Sequence, residues 1–200
     1  MSWVKCWTHA SRWALGVVVV GWLAGCATTA KDPEKEAALA EEQARQEALM
    51  KSFNQAVDAM QEGDQDLARQ QFRSLNEQHP ERTGPLANLG ILAMKAGESE
   101  EAKTHFEKVV AIDESHAPAL NHLGVIAREN GEFEKAETYY RDALTAEPDY
   151  LPAMMNLAIL LDIYLGRPGE ALPLYEKYQS MAEEPNPRLK DWIFDAKNRI

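Results

Sequence analysis

Seven side chains in this sequence are of the types that most often carry chemistry: Cys6 and Cys26, and the histidines His9, His79, His105, His116 and His122. A helical metal site wants two histidines four residues apart with a supporting acid. No pair here has that spacing, and His116 and His122 stand six apart across an expected helix start. Both cysteines lie within the first 26 residues, which excludes a disulfide framework and a cysteine metal site. There is no glycine-rich phosphate loop, nucleophile elbow or triad order. The many carboxylates fall on amphipathic stretches, whose polar faces are normally solvated. The sequence therefore predicts no metal, no cofactor and no enzymatic activity.

Cys26 has a context of its own. Lys5 and Arg12 are the only charges in the first 25 residues, and the apolar run from Ala14 to Leu23 comes after them. That run is too short for a bilayer core of about 30 Å, which needs about 20 residues. A basic start, a short apolar core and small residues make a secretory signal peptide. Its last residues, Leu23-Ala24-Gly25-Cys26, resemble the lipobox of bacterial lipoproteins. The resemblance implies cleavage before Cys26, a covalent lipid on its thiol and an acylated amino group. Several acyl chains, each methylene contributing about 0.8 kcal/mol, hold such a protein at a membrane. Ala27 is not the Asp that retains lipoproteins of this kind in the inner membrane, so the implied location is the periplasmic face of the outer membrane.

The remaining chain is acidic. The net charge is −11, and without residues 1–25 it has 19 basic side chains against 32 acidic ones. Such a surface repels phosphate backbones, so no nucleic-acid partner is expected. Residues 26–48 read as the lipidated cysteine and a tether. Asp32-Pro33 marks a helix start. The Ala-, Glu- and Gln-rich stretch from Glu34 to Met50 is a strong helix former that continues past residue 48.

From residue 49 onward the sequence repeats. At an offset of 34, Gly63, Gly97 and Gly131 align, as do Ala68, Ala102 and Ala136, and Phe72, Phe106 and Tyr140. Leu89, Leu123 and Leu157 align in the first half of the unit, with the small residues Ala56, Gly90, Gly124 and Ala158. Gly166, Ala171 and Tyr175 continue the series at 35, which predicts one extra residue in the fourth turn. The pattern describes helix hairpins: glycine ends each first helix, small residues allow close approach, and the aromatic rings fill the space between hairpins. Neighbouring hairpins must then stack into a solenoid to bury their apolar faces.

This pattern resembles the tetratricopeptide-repeat family. The predicted fold is all-α: a lipoprotein signal peptide (1–25), the lipidated Cys26 and helical tether (26–48), and about four repeats over 49–185. The units are 49–82, 83–116, 117–150 and 151–185, with a capping helix over 186–200. The first unit departs at Ser52 and Gln55, usually apolar positions. The second has Glu114 where proline is usual, and Pro173 should kink the last second helix. Leu189, Trp192, Ile193 and Ala196 share a face of the capping helix.

The resemblance also implies that first helices line a concave partner-binding face. The candidate residues are Phe53, Val57, Met60, Ile91, Met94, Lys95, Asn121, Val125, Arg128, Met155, Ile159 and Asp162. Ala87, Glu129 and Ile163 hold further positions of that face. Val57, Ile91, Val125 and Ile159 form one apolar row, and methionines add adaptable bulk. An amphipathic helix or extended apolar peptide suits such a row. Asn54, Asn88 and Asn156, with His122, match a frequent asparagine of the family, structural or functional. The implied function is a membrane-anchored scaffold for an envelope complex, similar to the pilotins of type IV pilus and secretin assembly. Alternatives are a chaperone-like carrier of apolar peptide or lipoprotein clients, and an adaptor for peptidoglycan enzymes or a TonB-type complex.

Overall fold

The computed structural model describes residues 32–184 and 186–200. The expectations for the leader, Cys26, Ala27 and the start of the tether lie outside them. The chain forms two units, one reaching to Glu42 and one covering Gln43–Ile200. The described part of the first is helical and solvent-exposed.

Nine α-helices occur among the described residues: α1 (Pro33–Glu62), α2 (Gln65–Gln78), α3 (Thr83–Lys95), α4 (Ser99–Ile112), α5 (Ala117–Glu129), α6 (Phe133–Ala146), α7 (Leu151–Ile159), α8 (Pro168–Met181) and α9 (Leu189–Asn198). α1 starts where Asp32-Pro33 predicts, with the Asp32 carboxylate accepting from the Glu34 N–H at 3.1 Å. The stretch from Glu34 to Met50 is continuous with the first repeat helix. Ser52 and Gln55 lie on its exposed side, and the Ser52 hydroxyl donates to the Ala48 carbonyl.

The helices pair as hairpins. Gly63, Gly97, Gly131 and Gly166 close the first helices with φ between +63° and +89°, a region costly for any residue with a Cβ. Three of these turns close alike: the N–H groups of Asp64, Glu98 and Glu132 reach back five residues, to the carbonyls of Ala59, Ala93 and Ala127. The fourth is wider by one, the Arg167 N–H reaching the Leu161 carbonyl. The extra residue of the fourth unit thus falls where the helix runs into its turn, between Leu161 and Arg167, and it also widens the last turn of the helix. α7 ends in a π-helical turn, Leu160–Tyr164, closed by the Leu165 N–H on the Leu160 carbonyl. A helix can take in one residue this way and keep its backbone bonded.

The rings of Phe72, Phe106, Tyr140 and Tyr175 are fully buried, each contributing about 2 kcal/mol or more by area. They fill two gaps at once. Each packs into its own hairpin: a Cβ on Gly90 would stand 2.7 Å from Phe106, and one on Gly124 would stand 2.5 Å from Tyr140. They also join the core to the next element: Phe72 shares a cluster with Leu89 and Leu92, Tyr140 with Leu157 and Ala158, and Tyr175 with Leu189 and Ile193 of α9. α9 covers the last hairpin with Leu189, Ile193 and Ala196, and its Trp192 ring lies 6.1 Å from that of Tyr175. α8 runs through Pro173 without ending, so the helix tolerates the missing N–H.

Ion pairs tie second helices to their neighbours across the outside. Arg69 meets Glu98 at 2.8 Å and Arg73 meets Glu101 at 3.3 Å. Arg141 meets Glu170 at 3.0 Å, and Arg167 pairs with Glu137. Burial opposes ionisation of Glu137, but Arg167 and Arg141 outweigh it and hold its carboxyl below the usual range.

Candidate protein-binding face

The first helices carry the predicted row. Val57, Ile91, Val125 and Ile159 are all half-buried, as are Met60, Met94 and Met155. Each packs its base on the cluster of its own hairpin and leaves part of its surface to solvent. Phe53 is half-buried too, edge-on to Phe72 at 5.6 Å. Beside it lies a cleft of about 240 Å³ between Leu49, Met50, Thr83 and Pro85, with His79 and Arg82 at its rim. Lys95 is exposed at the end of α3.

Two candidates are not surface groups. Asn121 is 4% exposed and accepts from the Asn156 side-chain amide at 2.8 Å, a bond between α5 and α7. Asp162 is 2% exposed. It lies in the π-helical turn, pairs with Arg199 and accepts from the Tyr175 hydroxyl at 3.4 Å. Within that turn Asp162 lies against the core, while its neighbour Ile163 is 63% exposed. The family-type asparagines divide in the same way. Asn88 donates to the Gly84 carbonyl of its own helix. His122 stacks on Phe106 at 4.7 Å, and burial pushes its imidazole down. These groups hold the array together.

Arg128 is half-buried, with its guanidinium 5.8 Å from the ring of Tyr164. Tyr164 in turn lies 5.0 Å from Phe133. Neither aromatic stands out in the repeat pattern. A signal for this cluster exists all the same. The position of Arg128 reads Met60, Met94, Arg128, Asp162 at the repeat offset, and the buried ring behind it reads Phe72, Phe106, Tyr140, Tyr175. Methionine goes with phenylalanine, and a charge goes with each hydroxyl.

Among the described residues no three His, Cys, Asp or Glu side chains gather to hold a metal, and no helix is long and apolar enough to cross a membrane. The face offers shape, apolar surface and hydrogen bonds, which are the means of binding a peptide or protein.

Residues 87–152 match the family model described as tetratricopeptide repeat. A search of curated proteins found no similar sequence. Among solved structures, the crystal structure of MamA protein has a TM-score of 0.63 at 23% identity, covering 76% of this chain and 82% of that one. The pilF protein of Pseudomonas aeruginosa has a TM-score of 0.67 at 22% identity, covering 78% and 70%. YrrB, described as a TPR protein with an unusual peptide-binding site, has a TM-score of 0.57 at 20% identity, covering 64% and 70%. At these identities the likeness is one of fold. Glycine-capped hairpins at a 34-residue period, the match over residues 87–152 and the shared fold agree: the described helices have the tetratricopeptide-repeat fold.

Proposed function

We propose that the chain is a lipid-anchored scaffold that docks a protein partner of a bacterial envelope complex on the face built by its first helices. The observation that carries the docking is the row Val57, Ile91, Val125 and Ile159, repeated in every hairpin and open to solvent in part. Aligned apolar side chains on a surface otherwise rich in acids call for a partner. The lipobox-like Leu23-Ala24-Gly25-Cys26 supports the anchor, and Ala27 supports the periplasmic face of the outer membrane. Likeness in fold to pilF supports type IV pilus or secretin assembly as the pathway. Met60, Met94 and Met155 beside the row favour a second reading, a carrier of apolar clients, because methionine adapts to varied partners. Adaptors for peptidoglycan enzymes or TonB-type complexes share the same chemistry.

The test is a crosslinked pull-down from detergent-solubilised envelopes. Wild type is compared with the Ile91→Asp, Val125→Asp, Ile159→Asp triple variant, after circular dichroism has confirmed its helix content. One complex retained by wild type and lost by the variant supports an adaptor. A broad set of unfolded clients supports a carrier, and identical recoveries overturn the face. Labelling with radioactive palmitate should mark the wild type and spare Cys26→Ser.

A further inference from the structure

Tyr140 is fully buried, and its hydroxyl makes no hydrogen bond among the described residues. The Nε–H of Arg128 is also buried and makes none. The Tyr140 ring packs on Gly124, four residues before Arg128 on the same face of α5; burial pushes its hydroxyl up to about 12, with the Arg128 cation pulling it down and the Glu129 carboxylate pushing it up. Two buried polar groups, both able to donate, are costly unless an acceptor serves them. Arg69, Arg73, Arg82, Arg141, Arg167 and Arg199 each meet a carboxylate. Among the described residues the Arg128 guanidinium, like that of Arg188, instead lies over a ring, that of Tyr164.

The next repeat contains the completed version of this arrangement. There the carboxylate of Asp162 joins the hydroxyl of Tyr175 to the guanidinium of Arg199. Tyr175 is the repeat equivalent of Tyr140, and Asp162 that of Arg128. The third unit has the hydroxyl and the guanidinium, but its exposed Glu129 carboxylate bonds neither the Tyr140 hydroxyl nor the Arg128 Nε–H.

We infer that Arg128 and Tyr140 receive a carboxylate from the docked partner, an Asp or Glu side chain set beside its apolar residues. This rests on the first-helix face being the docking face. The guanidinium turning off the Tyr164 ring is the movement that admits the acid, and the exchange replaces a cation–π contact with a charge-assisted pair. The subsite makes the partner's chemistry specific: apolar residues along the row, with an acid where it passes α5.

The test uses the side-chain Nε–H resonances of arginine in the labelled full chain, with the Arg128 signal identified by its loss in Arg128→Lys. Arg188 is the internal control, since it too lies over a ring, that of Trp192 at 5.9 Å, at the start of a different helix. The probe is N-acetylglutamic acid α-amide. It should shift the Arg128 signal saturably, leave that of Arg188 unmoved and bind roughly fivefold more weakly to Tyr140→Phe. The glutamine analogue should do nothing, and N-acetylleucine, whose carboxylate is chain-terminal, should bind more weakly. Equal response at Arg128 and Arg188, no response at Arg128, indifference to Tyr140→Phe, or stronger binding of N-acetylleucine would each overturn the inference. Such a failure leaves the pull-down result, and with it the docking face, standing separately.

Discussion

Asp162 and Arg199 form an ion pair that joins the π-helical end of α7 to the last turn of α9. The Asp162 side chain is 1% exposed and that of Arg199 44%. Removing the cation leaves a buried carboxylate with one weak hydroxyl partner. Arg199→Met should therefore destabilise the protein by about 2 kcal/mol, less than a fully buried pair because Arg199 is partly solvated. Asp162→Asn in the same chain should restore much of the loss. Urea unfolding monitored by Trp fluorescence measures both, since Trp192 sits on the helix that is released. Equal stability of Arg199→Met and wild type would refute the account.

Converting the third unit to the chemistry of the first two tests the opposite case. Arg128→Met with Tyr140→Phe reproduces the pairs Met60/Phe72 and Met94/Phe106. It deletes a buried hydroxyl and a buried Nε–H that have no partners. Stability should stay level or rise by up to about 1 kcal/mol. A loss of more than about 1 kcal/mol in thermal unfolding would mean that those groups are already satisfied.

Gly124→Ala should cost about 2 kcal/mol. The new methyl would stand 2.5 Å from the Tyr140 ring, which is fully buried and has no free space to retreat into. Gly97→Ala meets no neighbour within 4 Å and should lose only the strain of a positive φ, about 1 kcal/mol. Chemical denaturation of the two variants should rank them in that order.

Stability should fall as pH drops below about 6.5, the ordinary value for histidine. Burial lowers the pKa of His122, and it also lowers that of His105 although Glu101 pulls the other way. Between the folded and unfolded values the unfolded chain binds more protons, so unfolding is favoured by acid. The loss is complete once pH lies below the folded values. A second loss should begin below about 4.5, when Glu137 loses its pairing with Arg167 and Arg141. Melting temperatures across pH 7.5 to 4 track both steps, and His122→Phe should shrink the first.

The hairpins were legible because their causes are local. A glycine at each left-handed cap, an alanine or glycine under each ring and an apolar stripe every turn leave few other folds open. The row of Val57, Ile91, Val125 and Ile159 could be counted out at 34 for the same reason. Asp162 and Asn121 could not be placed by counting. Asp162 turns inward within the π-helical turn, and Gly166 reports the extra residue without locating it. Asn121 can be buried because Asn156, on another helix, donates a hydrogen bond to its side-chain oxygen. Tyr164 escaped notice because it belongs to the insertion and has no counterpart in the other units.

The π-helical turn also sets a rule for editing the array. The extra residue is taken up in that turn, so α8 stays in phase with the earlier second helices, with Ala171 and Tyr175 buried where Ala136 and Tyr140 are. A copy of 83–116 inserted between the second and third units keeps every ring over its small residue. A copy placed after the fourth would meet Asp162 already taken by Arg199 and a surface already covered by α9. The array can be lengthened in its interior by whole units, whereas growth past the fourth unit requires a new junction.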